Sequence, residues 1–278
     1  MLIKQELERV IDLESGARVL PLGAHLYSQG DQCSTAFVVL SGWIALSTLL
    51  DDGSCQIVDF ALPGAVLGFA TTADTLMYHS ARCLSLTRVC AIPQQRLDAV
   101  IEANPRLAVL LYRDAAANEA RAHDHLTNLG LRGSRERIAH LLLEFYVRLR
   151  HRLPHVPGEI IDLPLSQGNL GEALGLTSVH VCRMLQILRE QKIIRLANHK
   201  LEIIDPSALI AAAGVQLDPA SEPPATQGRA SIARCQAEGT SQSGTLPAGW
   251  MPLPIVPPAR PGRPSSAAFH RLVDAKAA

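Results

Sequence analysis

The stretch Leu163–Arg195, LPLSQGNLGEALGLTSVHVCRMLQILREQKIIR, constrains the fold of this chain more than any other. Ser166 stands where a helix N-cap is expected, and apolar residues then recur at helical spacing. Gly175 follows them and supplies the permissive backbone that a turn requires. A second helix is predicted to start at Thr177 or Ser178. The pattern therefore predicts two short helices joined by a tight turn.

The second predicted helix is amphipathic. Val181, Leu185 and Leu188 form one apolar stripe, which we expect to be buried. The polar residues left towards solvent are His180, Arg183, Gln186 and Arg189. This layout is typical of a helix-turn-helix, in which the second helix enters the major groove of DNA.

A β-hairpin is predicted directly after these helices. The segments Ile194–Leu196 and Leu201–Ile204 flank a turn at Asn198–His199. A hairpin in this position makes the unit a winged helix-turn-helix.

The charge of the chain is unevenly distributed. The whole sequence has no net charge, so there is no global signature of nucleic-acid binding. Between Leu131 and Ile204, however, eleven Arg and Lys face seven Asp and Glu, a local excess of four positive charges. That excess suffices for contacts to DNA phosphates in this part of the chain.

Several functional classes are not predicted. The N-terminus lacks the apolar core of a signal peptide, and no apolar run reaches the ~18 residues that span a bilayer. The six cysteines are scattered, and Pro154 separates His151 from His155, so we predict no metal site. A P-loop, a dinucleotide-binding glycine pattern, a nucleophile elbow and a zinc-protease motif are all missing, so we predict no enzyme. We expect a reduced, cytoplasmic protein without a membrane partner.

From Ala17 to Ile92, short β-like segments alternate with turns. Asp52-Gly53 is a strong hairpin signal, and Pro63-Gly64 marks a further turn. Strands of this length with Gly-containing turns predict an antiparallel roll or sandwich.

Three helices are predicted after the roll. The first covers Gln94 to about Glu102, and Pro105 starts a second that runs to roughly Leu129. This long helix has an apolar stripe that suits a dimer seam, although packing on its own roll would give the same pattern. The third helix is predicted over Ser134–Arg150. Its expected core face consists of Ile138, Leu141, Leu142, Phe145 and Leu149.

Beyond about Gly214, ten prolines lie in a segment rich in Ala, Ser and Gly, a composition that predicts disorder. The expected division is a sensing roll with flanking helices at 1–103 and a dimerisation helix at 104–130. A winged helix-turn-helix domain at 131–213 and a disordered tail at 214–278 follow.

In this order of parts the chain resembles the Crp/Fnr superfamily of bacterial transcription regulators. The resemblance covers about Val19 to Pro206 and rests on FVVLSGWIAL, DDGSCQIVDFALPGAVLGF, HDHLTNLG, RERIAHLLLEF and the helix-turn-helix stretch. It implies an α+β fold with an N-terminal antiparallel β-roll of the cyclic-nucleotide-binding type, a long central dimerisation helix and a C-terminal winged helix-turn-helix. It also implies a homodimer that contacts RNA polymerase and reads an inverted repeat with half-sites roughly 34 Å apart.

The chain departs from the family at the positions that hold a cyclic nucleotide. Members that bind one carry Gly-Glu for the ribose and an Arg before a small residue for the cyclic phosphate. Here Phe69 follows Gly68, and His79 precedes Ser80-Ala81. A neutral imidazole cannot hold a phosphate bidentately as a guanidinium does, so we do not expect cyclic AMP to bind. The N-terminal cysteine cluster of the iron–sulfur members is also missing.

The resemblance places the effector pocket at Gly68, His79, Ser80 and Cys83. Some members bind haem in this roll through His or Cys, and His79 and Cys83 are competent axial ligands by type. The favoured interpretation is that His79 is a partly buried turn residue and that Cys83 packs in a strand. Haem stays the alternative, and the effector is not identified.

The resemblance also assigns DNA-binding roles. Arg183 matches the family arginine that bonds guanine O6 and N7, and Val179 replaces the usual Glu and can touch a thymine methyl. His180 and Ser178 are expected at bases or phosphates, while Gln167 positions the DNA backbone. The predicted DNA-binding set is Gln167, Thr177, Ser178, Val179, His180 and Arg183.

Cys182, next to Arg183, raises a redox hypothesis. Oxidation of the thiol to a bulky, charged acid would repel a DNA phosphate. The plainer interpretation is an inert residue on the helix flank.

The predicted function is a sequence-specific transcription regulator that acts as a homodimer on double-stranded DNA, with a sensing roll of unknown ligand. The alternative is a haem or small-ligand sensor whose helical domain acts through protein contacts. Salt separates the two, because a regulator with several phosphate contacts loses affinity steeply as salt rises.

Overall fold

The computed structural model describes residues 2–69 and 76–215, which lie in one compact unit. The predicted disordered tail lies outside the described residues from position 216 onward. None of the described helices combines the length and the apolar character of a membrane span.

An antiparallel β-roll follows the first helix, α1 (Leu2–Val10). Its strands are β1 (Ala17–Leu20), β2 (His25–Tyr27), β3 (Thr35–Ser41), β4 (Ile44–Leu49), β5 (Cys55–Ala61), β6 (Val66–Leu67), β7 (Ser80–Cys83) and β8 (Thr87–Pro93). They form two four-stranded sheets, with the strand orders β1-β8-β3-β6 and β2-β7-β4-β5. Every pairing in these sheets is antiparallel, so the predicted roll is confirmed.

The three helices predicted after the roll are also confirmed. They are α2 (Gln94–Ala103), α3 (Pro105–Leu131) and α4 (Ser134–Arg150), each within two residues of the predicted bounds. Of the 27 residues of α3, all of them described, only Leu107 and Asn128 are buried. The long helix therefore leaves most of its surface open.

Helix α4 packs between the roll and the winged domain. Four of its five predicted core residues are buried, and Leu149 is partly buried. The helix also buries residues outside the predicted face, among them His140. Phe145 makes edge contacts with Trp43 and Phe60 of the roll, with ring centroids 5.0 and 5.1 Å apart. One hydrophobic core thus continues from the roll into the winged domain.

The winged domain contains two helices joined by a turn and a small sheet. Its remaining elements are β9 (Glu159–Asp162), α5 (Gln167–Leu174), α6 (Ser178–Glu190), β10 (Ile194–Ala197), β11 (Lys200–Ile203) and α7 (Pro206–Ala212). The sheet order is β10-β11-β9. Asn198 and His199 form the hairpin turn with φ values of 51° and 56°, the conformation that a two-residue hairpin favours. The predicted wing is confirmed.

Candidate DNA-binding interface and effector pocket

Local features fix both ends of helix α5: a capping box at its start and a glycine at its end. Ser166 Oγ accepts a 3.1 Å bond from the Asn169 amide, and Asn169 Oδ1 accepts a 3.0 Å bond from the Ser166 amide, which completes a capping box. Gly175 ends the helix in the left-handed conformation, with φ 63°. A Cβ on Gly171 would lie 2.4 Å from the carbonyl oxygen of Leu176, so this turn requires a second glycine.

Helix α6 is capped by Thr177, whose Oγ1 accepts a 3.3 Å bond from the His180 amide. Its predicted apolar stripe is buried, with at most 4% of each residue exposed: Val181, Leu185 and Leu188. This stripe fixes which face of α6 points outward.

The outward face of α6 carries the predicted DNA-binding side chains. Val179 is 80% exposed. Arg183 is exposed, and in the part of the chain that the structure describes its guanidinium has no hydrogen-bond or ion-pair partner. The other predicted contact residues are exposed as well: Gln167, Thr177, Ser178 and His180. Cys182 is half-buried on the flank of the helix.

Two contacts at this surface were missed from the sequence. A 2.9 Å hydrogen bond joins His180 Nε2 to Ser134 Oγ at the start of α4. Arg135 Nη2 donates a 2.7 Å bond to Gln191 Oε1 at the end of α6. The first turn of α4 therefore lies beside α6 and adds a cation to the same side of the domain. Residues more than 40 positions apart form these contacts, so local spacing gives no signal of them.

In the roll, Gly68 occupies a position that only glycine fits. Its φ is 69°, and a Cβ there would lie 2.6 Å from the carbonyl oxygen of Thr35. The Cys33 thiol donates a 2.9 Å hydrogen bond to the Gly68 carbonyl oxygen.

His79 and Ser80 are bound to other residues of the roll. A 2.9 Å hydrogen bond joins His79 Nε2 to the Tyr27 hydroxyl. Burial lowers the pKa of His79 and the nearby Asp59 carboxylate opposes that shift. Ser80 Oγ accepts a 2.9 Å bond from the amide of Gln29. These polar atoms are satisfied within the chain.

The arrangement does not fit His79 and Cys83 as a pair of axial haem ligands. His79 Nε2 is engaged by Tyr27, and Cys83 is fully buried in the core of the roll. Burial raises the pKa of the Cys83 thiol, which disfavours the thiolate that ligates iron. Among the described residues, no three His, Cys, Asp or Glu side chains cluster to hold a metal ion.

A cavity lies where the roll meets α3 and α4. Its volume is about 230 Å³, and Asp59, Arg121 and Arg148 are among its lining residues. A smaller cavity of about 40 Å³ shares Asp59 and Arg121. Within the described residues, Arg121 Nε and His125 Nε2 are buried without a hydrogen-bond partner, and both residues line the smaller cavity. The sequence analysis did not predict this junction. Glu144 and Arg148 were a signal for it, because they are charged residues of α4 whose side chains are largely buried.

Two protein-family models match the chain, one over the roll and one over the winged domain. Residues 17–104 match the cyclic nucleotide-binding domain and residues 136–212 match the Crp-like helix-turn-helix domain. The transcriptional activator protein FnrA of Stutzerimonas stutzeri is 30% identical over 77% of this chain and 87% of its own length. The nitrogen fixation regulation protein FixK of Bradyrhizobium diazoefficiens is 31% identical over 69% and 79%.

Solved structures share the fold. FixK2 from Bradyrhizobium japonicum superposes with a TM-score of 0.62 at 24% identity, over 72% of this chain and 98% of that protein. A CooA mutant from Carboxydothermus hydrogenoformans gives a TM-score of 0.59 at 16% identity, over 73% and 89%.

A sensing roll joined through a long helix to a winged helix-turn-helix defines a class of sequence-specific, DNA-binding transcription regulators. With relatives of this identity and coverage, the chain belongs to the Crp/Fnr family.

Proposed function

We propose that two copies of this chain pair through α3 and present two α6 helices to successive major grooves of an inverted DNA repeat. The outward face of α6 carries the proposal. Val179 and Arg183 contribute nothing to the core there, whereas Val181 and Leu185 on the opposite face anchor the helix. A helix placed in this way delivers side chains to base edges without rearrangement of the domain.

The exposed stripe of α3 supports pairing with a second copy. Val109, Tyr112 and Leu126 are 49%, 75% and 64% exposed. These three residues belong to one heptad series, whose other members are Ala116, Glu119 and His123, so two polar residues interrupt the apolar stripe. Two such helices side by side cover these apolar groups and set the half-sites about one helical turn, roughly 34 Å, apart.

Each predicted contact residue has a role that follows from its chemistry. Arg183 bonds guanine O6 and N7, and Val179 touches a thymine methyl. Ser178 and His180 contact a base edge or a phosphate. Gln167 and Thr177 bind the DNA backbone and fix the position of α6.

The remaining parts of the proposal concern signal and output. The roll responds to an effector near Gly68, His79, Ser80 and Cys83, and the DNA-bound dimer contacts RNA polymerase. The protein acts by binding rather than by catalysis, in the cytoplasm, where bacterial DNA lies.

Selection of random duplex DNA by the purified, reduced chain tests the proposal. We expect enrichment of an inverted repeat and a steep loss of affinity as salt rises, because phosphate contacts release counterions. Enrichment of a single, unrepeated site would contradict the dimer. Binding that ignores both sequence and salt would contradict DNA recognition itself.

The redox hypothesis rests on the position of Cys182 next to Arg183, where an acid formed by oxidation would repel a DNA phosphate; the thiol is half-buried. Peroxide is then expected to lower DNA binding by the wild type and to spare Cys182→Ser. Cys55→Ser removes an exposed cysteine in the roll and serves as the matched control. Equal sensitivity of the wild type and Cys182→Ser would remove the hypothesis.

A further inference from the structure

The polar junction between the roll and the winged domain centres on one guanidinium. Arg148, in the last turn of α4, donates through Nη1 to Asp59 Oδ1 at 3.0 Å and to Glu144 Oε1 at 3.1 Å. Its Nη2 donates to the Phe60 carbonyl oxygen. We call these groups, Arg148 with Asp59, the Phe60 carbonyl and Glu144, the Arg148 latch. It joins α4 to β5 across 89 positions of sequence.

The side chains of the latch are largely shielded from solvent. The side chain of Arg148 is 15% exposed, and those of Glu144 and Asp59 are 21% and 34% exposed. Burial raises the pKa of Glu144, and the Arg148 charge opposes that shift. Ion pairs are stronger where water is partly excluded, and a guanidinium whose two Nη atoms donate to different acceptors is fixed in direction as well as distance.

Two further contacts hold the winged domain against the roll, one from β5 and one from β7. Gln56 Nε2 donates a 3.0 Å bond to the carbonyl oxygen of Ala173 in α5. Arg82 lies 3.7 Å from Glu172, also in α5. The helix-turn-helix is therefore fixed to the roll directly, in addition to its covalent connection through α3.

The contacts orient the DNA-binding surface without covering it. The latch lies at the end of α4, whereas Val179 and Arg183 on α6 remain exposed. A connection that fixes a domain and leaves its binding face open controls where that face points. In a dimer, this direction decides the separation of the two α6 helices.

We propose that Arg148 is a positioning residue that sets the spacing of the DNA half-sites by locking the winged domain to Asp59 of the roll. The proposal rests on the proposed function, because spacing has meaning only for a dimer on an inverted repeat. Asp59, Arg121 and Arg148 also line the 230 Å³ cavity, so a molecule that enters it reaches the latch directly.

The test compares half-site spacing between wild type and Arg148→Gln. Full-length protein is offered duplexes that carry the inverted repeat selected by the wild type, with the spacer varied one base pair at a time. We expect the wild type to prefer one spacer and Arg148→Gln to lose that preference by roughly tenfold, within the usual range of coupling between sites. The sequence selected within each half-site should not change, because α6 is untouched.

Matched variants separate positioning from general damage. Arg150→Gln alters a neighbouring arginine that donates to Ile160 inside the winged domain, and it should keep the wild-type spacing. Asp59→Asn removes the carboxylate from Arg148 and also from Arg121, which lies 3.9 Å away, so it should lose the spacer preference at least as far as Arg148→Gln. The double variant should lose no more than Asp59→Asn alone. Melting curves confirm that each variant is folded.

The outcomes are distinct. An unchanged spacer preference in folded Arg148→Gln and Asp59→Asn overturns the latch and leaves the proposed function intact. Additive effects in the double variant also overturn it, because two independent sites would then be at work. If the wild type selects no inverted repeat, the proposed function fails, and the latch fails with it.

Discussion

Arg183 on the outward face of α6 and the polar side chains of the effector pocket predicted in the roll differ in their hydrogen bonding. On α6, the guanidinium of Arg183 has no partner within the described part of the chain. In the roll, His79 is bound by the Tyr27 hydroxyl, and Ser80 accepts from the amide of Gln29. Arg183 is therefore free to meet an external ligand, although His180 on the same helix is bonded to Ser134 Oγ, whereas the side chains of His79 and Ser80 are bonded within the roll.

This difference shows how the two surfaces can respond. DNA can bind α6 without breaking an internal bond of Arg183. An effector at the predicted pocket would replace existing hydrogen bonds, each with a net contribution of about 1 kcal/mol. We therefore predict that binding at this pocket is coupled to a change of local structure, as a sensor requires.

The largest expected effect is a loss of stability when the turn between α5 and α6 is disrupted. Gly171→Ala places a Cβ 2.4 Å from the Leu176 carbonyl oxygen, and we expect a loss of about 3 kcal/mol in the free energy of unfolding. Gly168→Ala is the control in the same helix, because its Cβ meets only Ser166 Oγ at 3.4 Å. Urea unfolding of both variants measures the difference, and equal losses would show that the turn tolerates a side chain.

The next effect concerns recognition alone. Arg183→Ala is expected to weaken binding by about 1–3 kcal/mol at one base pair and to relax specificity there. Its unfolding free energy should change by less than about 0.5 kcal/mol, since the side chain is exposed. Arg189→Ala, an exposed arginine in the last turn of α6, is the control. Binding to sites substituted at each base pair measures the effect, and uniform weakening would make Arg183 a phosphate contact.

A smaller loss of stability is expected when a hydrogen bond of the predicted effector pocket is removed. Tyr27→Phe removes the hydrogen bond to His79 and should lower the free energy of unfolding by about 1 kcal/mol. Tyr78→Phe is the matched control, because Tyr78 is 81% exposed. Thermal or urea unfolding compares the two, and DNA selection should be unchanged in both. No difference between them would show that the Tyr27–His79 bond adds nothing to stability.

The smallest effect depends on pH. Burial lowers the pKa of folded His79, so below the unfolded value near 6.5 the unfolded chain binds more protons than the folded one. Stability should therefore fall as the pH drops through that value, by at most about 1.4 kcal/mol per pH unit from this residue. Unfolding curves of wild type and His79→Gln at matched pH isolate the contribution. If the stability of the two proteins changed with pH in parallel, His79 would make no such contribution.

The helix-turn-helix was predictable because its signals are local. Ser166, Gly175 and Thr177 end or begin helices through bonds to residues three or four positions away. The hairpin turn at Asn198–His199 is equally local. The start of α7 has a similar local signal, since Asp205 caps the helix and Pro206 occupies its first position.

The roll–α4 junction was not predictable in the same way. Arg148 meets Asp59 and Phe145 meets Trp43 across long stretches of sequence, and helical spacing carries no information about such partners. The span Ala17–Ile92 was predicted to be β-like, but the bounds and partners of β1, β2 and β6 were not predictable, for the same reason. They have only two to four residues, and β1 and β2 pair with strands far along the chain. The predicted effector residues have defined contacts in the structure, but their role in sensing stays a prediction.

The hydrophobic core that runs from the roll into the winged domain limits how this regulator can be recombined. The ring of Phe145 in the DNA-binding part packs against Trp43 and Phe60 of the sensing part. A chimera that joins this winged domain to a foreign sensor would expose that ring unless the sensor supplied an equivalent aromatic cleft. Evolution of a new sensor–output pair in this lineage must therefore change both sides of the contact together, as in an obligate protein interface.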